Sequence, residues 1–219
     1  MTFPNSAHCE GMDETQNVQN RGMSAFRRLT FNTPGQAKEH AFLGGGPYLP
    51  DSEIWPIDSK GNPLLHLASF PASFIRRHAP QVDIADGLCI SVFTPYDKVD
   101  YHYIEVALMS GGKLIAYAPA DVATGPMAPA FSPVLIGEPS APAQDHSRNE
   151  VSKVGGVPAW LQDEELHGLE YVLQINELDL DQLAPTHKAI FVGGIGYLML
   201  KKNIHSPTRD CGHFVIQTT

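Results

Sequence analysis

A Gly-Gly-x-Pro phrase stands twice in this chain, each time ahead of an apolar run with the composition of a strand. The first copy is Gly44-Gly45-Gly46-Pro47, followed by Leu64 to Phe70. The second is Gly155-Gly156-Val157-Pro158, followed by Tyr171 to Asn176. The copies lie about half the chain apart. A glycine pair frees the backbone for a tight bend, and the proline then stiffens the exit. Each copy therefore reads as a structural turn that feeds a strand, and the doubling predicts one unit duplicated and fused.

Glycine-rich phrases also invite a phosphate-loop reading. Such a loop needs Gly-Lys-Ser/Thr after its glycines to reach phosphate and magnesium. Pro47 and Pro158 stand in that place instead. A dinucleotide fingerprint needs Gly-x-Gly-x-x-Gly between a strand and a helix, a context missing from both copies.

The rest of the chain reads as short strands and turns. Charged residues make up only 18%, against 19 glycines and 18 prolines among 219 residues. Asp58 to Gly61 has turn chemistry. Leu64 to Phe70, Leu88 to Phe93 and Lys113 to Tyr117 read as strands, with one or two helical turns over Pro71 to Arg77. Tyr101 to Met109 alternates, with His102, Ile104, Val106 and Leu108 on one face, and Ser110-Gly111-Gly112 follows. That pattern predicts a strand and a β-hairpin. Met23 to Leu29 reads as a short helix. Between 118 and 150 six prolines (Pro119, Pro126, Pro129, Pro133, Pro139 and Pro142) rule out a helix. This stretch reads as a connector holding one short edge strand, Val134 to Ile136. Beyond it, Tyr171 to Ile175, Ala189 to Val192, Tyr197 to Lys201 and His213 to Gln217 read as strands. Asp163 to Leu166 and Glu177 to Leu183 read as helical turns. The expected fold is α+β and predominantly β. Residues 1–20 form a flexible lead. Residues 21–219 form one domain of two homologous repeats, about 35–118 and 151–219, joined by the connector 119–150.

These residues resemble the YwqG-like family, a bacterial family of unknown function. The resemblance rests on Gly44, Gly45, Pro47, Trp55 and Pro56, with Asp58, Gly61 and Pro63 beyond them. In the second half it rests on Lys153, Gly155, Gly156, Pro158, Trp160 and Gln162, the run Leu173-Gln174-Ile175, and Gly194, Gly196 and Tyr197. It covers roughly residues 40–70 and 150–200. Two places depart from the family pattern: Ala68-Ser69-Phe70 in the first strand, and Val192-Gly193 where an acidic residue is usual. The resemblance implies a duplicated β-rich unit without an established activity. Its members occur near polymorphic toxin genes, which implies a role as an immunity protein.

Candidate chemistry is sparse. His205, Cys211 and His213, with His8 and Cys9 elsewhere in the chain, are the grouping closest to a metal site. They lack the second close ligand pair that zinc prefers, so no metal and no cofactor is expected. Cys211, His213 and Asp210 are the local candidates for nucleophilic catalysis. Neighbours in a strand point to opposite faces, so Asp210 diverges from Cys211. Trp55 and Trp160 each follow a Gly-Gly-x-Pro phrase and read as core plugs. Three widely spaced cysteines argue against a disulfide framework. With no secretory signal or long apolar run, the reading is cytoplasmic and not membrane-bound. A net charge of −9 with scattered basic residues argues against nucleic acid. The expectation is a non-enzymatic protein-binding module with a more basic partner, such as a toxin-neutralising immunity protein. The alternative is an enzyme or small-molecule binder using a cleft between the repeats.

Overall fold

The computed structural model describes residues 25–128, 130–137, 141–165 and 168–219. The expected flexible lead, residues 1–20, lies outside the described residues. In chain order the elements are β1 (Ala25–Arg28), β2 (Thr30–Pro34), β3 (Phe42–Leu43), β4 (Leu65–Pro71), α1 (Ala72–His78), β5 (Asp83–Ile84), β6 (Cys89–Thr94), α2 (Tyr103–Ser110), β7 (Lys113–Tyr117), β8 (Val134–Gly137), β9 (Ala143–Gln144), β10 (Lys153–Gly155), β11 (Glu170–Asn176), α3 (Glu177–Leu183), β12 (Ile195–Leu200), β13 (Asn203–Ile204) and β14 (Gly212–Gln217). The protein is α+β and mainly β, as expected.

Two six-stranded antiparallel sheets carry the fold. Sheet I has the order β2-β8-β3-β4-β6-β7 and sheet II the order β14-β12-β11-β10-β1-β9. β5 and β13 form a small parallel pair beside them. Apolar side chains from both sheets and from α1 and α3 merge into one buried cluster, including Leu67, Phe70, Ile75, Ile90, Leu173, Leu180, Leu198 and Phe214. Two consecutive strands are shared between the sheets: β1 joins sheet II while β2 joins sheet I. The proline-rich connector likewise gives β8 to sheet I and β9 to the edge of sheet II.

Each sheet contains a run of four strands with the same connections. In sheet I, β3 pairs with β4, β4 leads directly into α1, and β6 and β7 follow. In sheet II, β10 pairs with β11, β11 leads directly into α3, and β12 and β14 follow. Both central pairings carry a register shift at the same place. One lies between His66 and Ala68, the other between Tyr171 and Leu173. Both helices begin at a residue suited to a helix start. Pro71 has φ fixed near the helical value, and Asn176 caps its helix by accepting the Leu178 N–H at 2.8 Å.

Five expectations need correction. Ala25 to Arg28 is strand β1, because it completes sheet II between β10 and β9. Val134 to Ile136 is a strand but not an edge, since β2 pairs along its far side. Asp163 to Glu165 forms no helical turn, because the Gln217 amide holds the Asp163 carbonyl at 2.8 Å. Ala189 to Val192 is a sequence of turns rather than a strand, held by a carboxylate considered below. Tyr101 to Met109 is not a strand either: most of it is helix α2. Its buried members, Tyr103 and Ala107, stand one helical turn apart. The Asp100 carboxylate accepts the His102 N–H at 2.9 Å and fixes the entry. Gly111 closes the helix by donating its N–H to the Ala107 carbonyl.

Candidate functional site

The two Gly-Gly-x-Pro loops are cradles for a side-chain oxygen. In the second, Gly155 and Gly156 take φ of 68° and 75°, which turns the Val157 N–H toward Asp145 at 2.8 Å. A Cβ on Gly156 would lie 2.0 Å from Asp145 Oδ2, so only glycine leaves room for the carboxylate. The first loop repeats the arrangement with an amide. Gly44 and Gly45 take φ of 70° and 58°, and the Gly46 N–H reaches Gln36 Oε1 at 3.4 Å. A Cβ on Gly45 would lie 2.1 Å from that same oxygen. Pro47 and Pro158 follow, as the sequence requires. In the second loop the chain itself thus supplies an anion, and in the first a neutral amide oxygen takes that place.

Asp145 comes from the proline-rich connector and also meets Lys153, whose Nζ donates to both carboxylate oxygens at 2.9 and 2.8 Å. Both side chains are fully buried. Burial alone would raise the Asp145 carboxyl. Hydrogen bonds from Lys153, Asn149 and the Val157 N–H outweigh it and hold the group below the usual carboxylate range. The Phe26 ring lies 5.6 Å from the ammonium.

Each sheet also carries a buried polar row. In sheet I the Gly44 carbonyl can only accept, so His66 Nδ1 bears the proton toward it, at 3.1 Å. His66 Nε2 then accepts from Ser69, at 2.9 Å, and Ser69, Ser91 and Tyr117 continue the chain at 2.6 and 2.7 Å. Burial lowers the His66 pKa to about 4, which keeps the ring neutral. Trp55 lies in the cluster over this sheet, 5.2 Å from Phe93, and donates its indole N–H to Leu64. Pro56 accepts the Leu64 N–H. In sheet II the matching row is Gln174, Tyr197 and Gln217, and it grips the loop that follows Pro158. Gln174 accepts the Ala159 N–H, Tyr197 donates to the Ala159 carbonyl, and Gln217 accepts the N–H groups of Leu161 and Gln162. Trp160 is half-buried and stacks 4.7 Å from Tyr197. Gly196 gives space to Phe191 and Phe214, and Gly194 to the Gln217 carbonyl.

Glu177 is a buried carboxylate that no sequence motif marks. It opens α3, is 3% exposed, and accepts the N–H groups of Ile190, at 3.0 Å, and Phe191. Those bonds hold Ala189 and Val192 at φ of 60° and 57°, a left-handed backbone that a β-branched residue rarely adopts. Tyr103 of α2 donates to the Ala189 carbonyl at 2.8 Å and ties the turn to the first half of the chain. Burial, with Asp181 nearby, pushes the Glu177 carboxyl up to about 7. Its oxygens serve the backbone, and its role is to shape the turn.

The remaining candidates do not converge. Cys211 is fully buried, and burial pushes its thiol up to about 12, away from a nucleophile or a metal ligand. His205 faces Asp83 at 3.5 Å, Asp210 pairs with Lys201, and His213 is exposed. Among the described residues no group of three His, Cys, Asp or Glu side chains is placed to hold a metal ion. His8 and Cys9 lie outside the described residues. Nor is any described helix long and apolar enough to cross a membrane.

What does face outward is α2 and the loop before it. Val99, Tyr101, Leu108 and Met109 are 85, 67, 40 and 79% exposed. Asp97, Asp100 and Glu105 stand among them and are exposed as well. Asp97 accepts the N–H groups of Val99 and Asp100, which lowers its pKa and keeps it charged. Exposed large apolar side chains thus stand along this stretch with three acidic residues and the exposed Lys98. The exposed apolar residues also made this stretch look like a strand in the sequence. Compared with protein-family models and with curated proteins, the chain matches none.

Proposed function

We propose that this protein is a non-catalytic binding module of the YwqG-like kind. It is built from two related halves and docks a basic partner protein on α2 and the loop from Asp97, as a toxin-neutralising immunity protein does. The observation that carries this reading is the acid-rimmed apolar surface of α2. Interface centres are rich in Tyr, Met and other large apolar groups, and surrounding charge selects and steers the partner. A net charge of −9 speeds the approach of a basic protein at low salt. The relation of the halves is supported by the matched strand runs, the register shifts at His66 and Tyr171, and the paired loops that cradle Gln36 and Asp145. The buried ionisable groups bond to the chain itself, which favours binding over catalysis.

The test is to co-express the chain with the products of adjacent genes. One basic product should copurify in equal amount and lose its toxicity. A double Leu108→Asp, Met109→Asp variant should fold as wild type and lose the partner. If no neighbouring product binds, or the variant binds unchanged, the proposal is wrong.

A further inference from the structure

A second surface lies beside the free edge of sheet I. β7 is the last strand of that sheet, and its outer side is only partly covered. The Gly112 N–H is taken by the Phe214 carbonyl and the Ala116 N–H by the Thr208 carbonyl, both at 2.8 Å. Main-chain groups two residues apart in an antiparallel strand face the same way. Leu114 sits between these two residues, so its N–H and C=O aim outward too. Between them no described residue gives Leu114 a main-chain hydrogen bond on this side. The gap opens into a groove of about 500 Å³ lined by residues of 52–57, by Lys113, Leu114 and Ile115, and by Arg209.

Three kinds of recognition chemistry meet there. Trp55 and Ile115 give an apolar floor, and Ile54 and Ile57 stand at the rim 76 and 55% exposed. Arg209 is held in place from one side only: its Nη2 donates to Glu53 at 3.0 Å and to the Ile54 carbonyl. A guanidinium has five N–H groups. The three on Nη1 and Nε take no acceptor among the described residues. Lys113 makes no ion pair among the described residues. Arg209 and Lys113 exceed Glu53 at this apolar groove by one positive charge, which calls for an anion joined to an apolar body. The outward main-chain groups of Leu114 call for a peptide unit in extended form.

We infer that this groove binds the C-terminal end of an extended peptide. Its last apolar side chain rests on Trp55 and Ile57. Its main chain pairs with Leu114, and its free carboxylate lies between Arg209 and Lys113. The site is independent of the α2 surface.

The test uses a Trp160→Phe variant, which leaves Trp55 as the sole tryptophan reporter. Its fluorescence is titrated with acetyl-Gly-Val-Val-Leu bearing a free carboxylate, with the same peptide as its amide, and with octanoate. The acid should saturate the signal, and the amide should bind about tenfold more weakly. Octanoate, lacking the peptide unit, should bind more weakly than the acid. Lys113→Gln and Arg209→Gln should each weaken the acid severalfold. Lys113 holds nothing else in place, so its variant reads binding without disturbing the fold. The proposal is overturned by no saturation up to about 1 mM peptide, by equal binding of acid and amide, by octanoate binding as tightly as the peptide, or by an unaffected Lys113→Gln variant. The Leu108→Asp, Met109→Asp variant should keep peptide binding, so failure of one proposal is separable from failure of the other.

Discussion

A single added methyl group should separate the two uses of glycine in this chain. Gly156 combines a φ of 75° with a carboxylate oxygen 2.0 Å from where a Cβ would stand. Gly61 has a φ of 88° but open space around it. Denaturant unfolding should therefore show Gly156→Ala losing about 2–3 kcal/mol and Gly61→Ala about 1 kcal/mol. The buried ion pair beneath Gly156 gives an asymmetric result. Asp145→Ala leaves the Lys153 ammonium buried without its partner and should cost about 3–5 kcal/mol. Lys153→Met leaves Asp145 with Asn149 and the Val157 N–H and should cost clearly less. Equal losses would contradict this account of the loop. Glu177 sets a pH dependence. Its pKa rises from 4.5 to about 7 on folding, so between those values the folded chain binds more protons than the unfolded one. The Glu177 contribution to stability is thus greatest near pH 4.5 and falls as pH rises through 7. His66 acts in the opposite sense between about 4 and 6.5, since its pKa is lowered. The stability of wild type minus that of Glu177→Gln isolates the first effect. That difference should drop on the order of 1–2 kcal/mol from pH 4.5 to 7.5, once solvent screening is allowed for; a flat difference would contradict it.

Most strands of five or more residues were legible as compact apolar runs between turn formers. β4, β6, β7, β11, β12 and β14 fall within a residue or two of their expected positions, and so do α1 and α3. Two stretches misled for opposite physical reasons. Ala189 to Val192 is apolar because Ile190 and Phe191 are buried, but a distant carboxylate at Glu177 bends it into turns. No local pattern announces a bond made thirteen residues away. In α2 the apolar residues are spread over buried, half-buried and exposed positions, so their alternation did not mark a strand face. The buried spacing of Tyr103 and Ala107 was the true signal. Trp55 is the core plug its position suggested, whereas Trp160 lies half-open over Tyr197. The cradled residues Gln36 and Asp145 stayed hidden because each lies outside the phrase it completes. At this scale the account predicts that α2 tolerates polar change. Leu108→Asp and Met109→Asp should each shift stability by less than about 0.5 kcal/mol while weakening partner binding by about 2 kcal/mol.

Across the whole molecule, the two sheets meet in one core, and α2 and the groove at β7 are the two proposed contact surfaces. The α2 face is proposed for a folded basic partner, and the groove at β7 for a chain end. Tyr103 joins α2 to the Ala189 turn, and the Gly112 N–H just beyond the helix bonds to the Phe214 carbonyl of β14, so the helix is tied to the second half of the chain. A rigid, charged face of this kind should bind its partner quickly and with a marked loss of rate as salt is raised. The most direct measurement is isothermal titration of the purified chain against the basic neighbour product that copurifies with it, at two salt concentrations, beside the Leu108→Asp, Met109→Asp variant. The account predicts one-to-one binding that weakens with salt and disappears in the variant. Unchanged binding by the variant would contradict it.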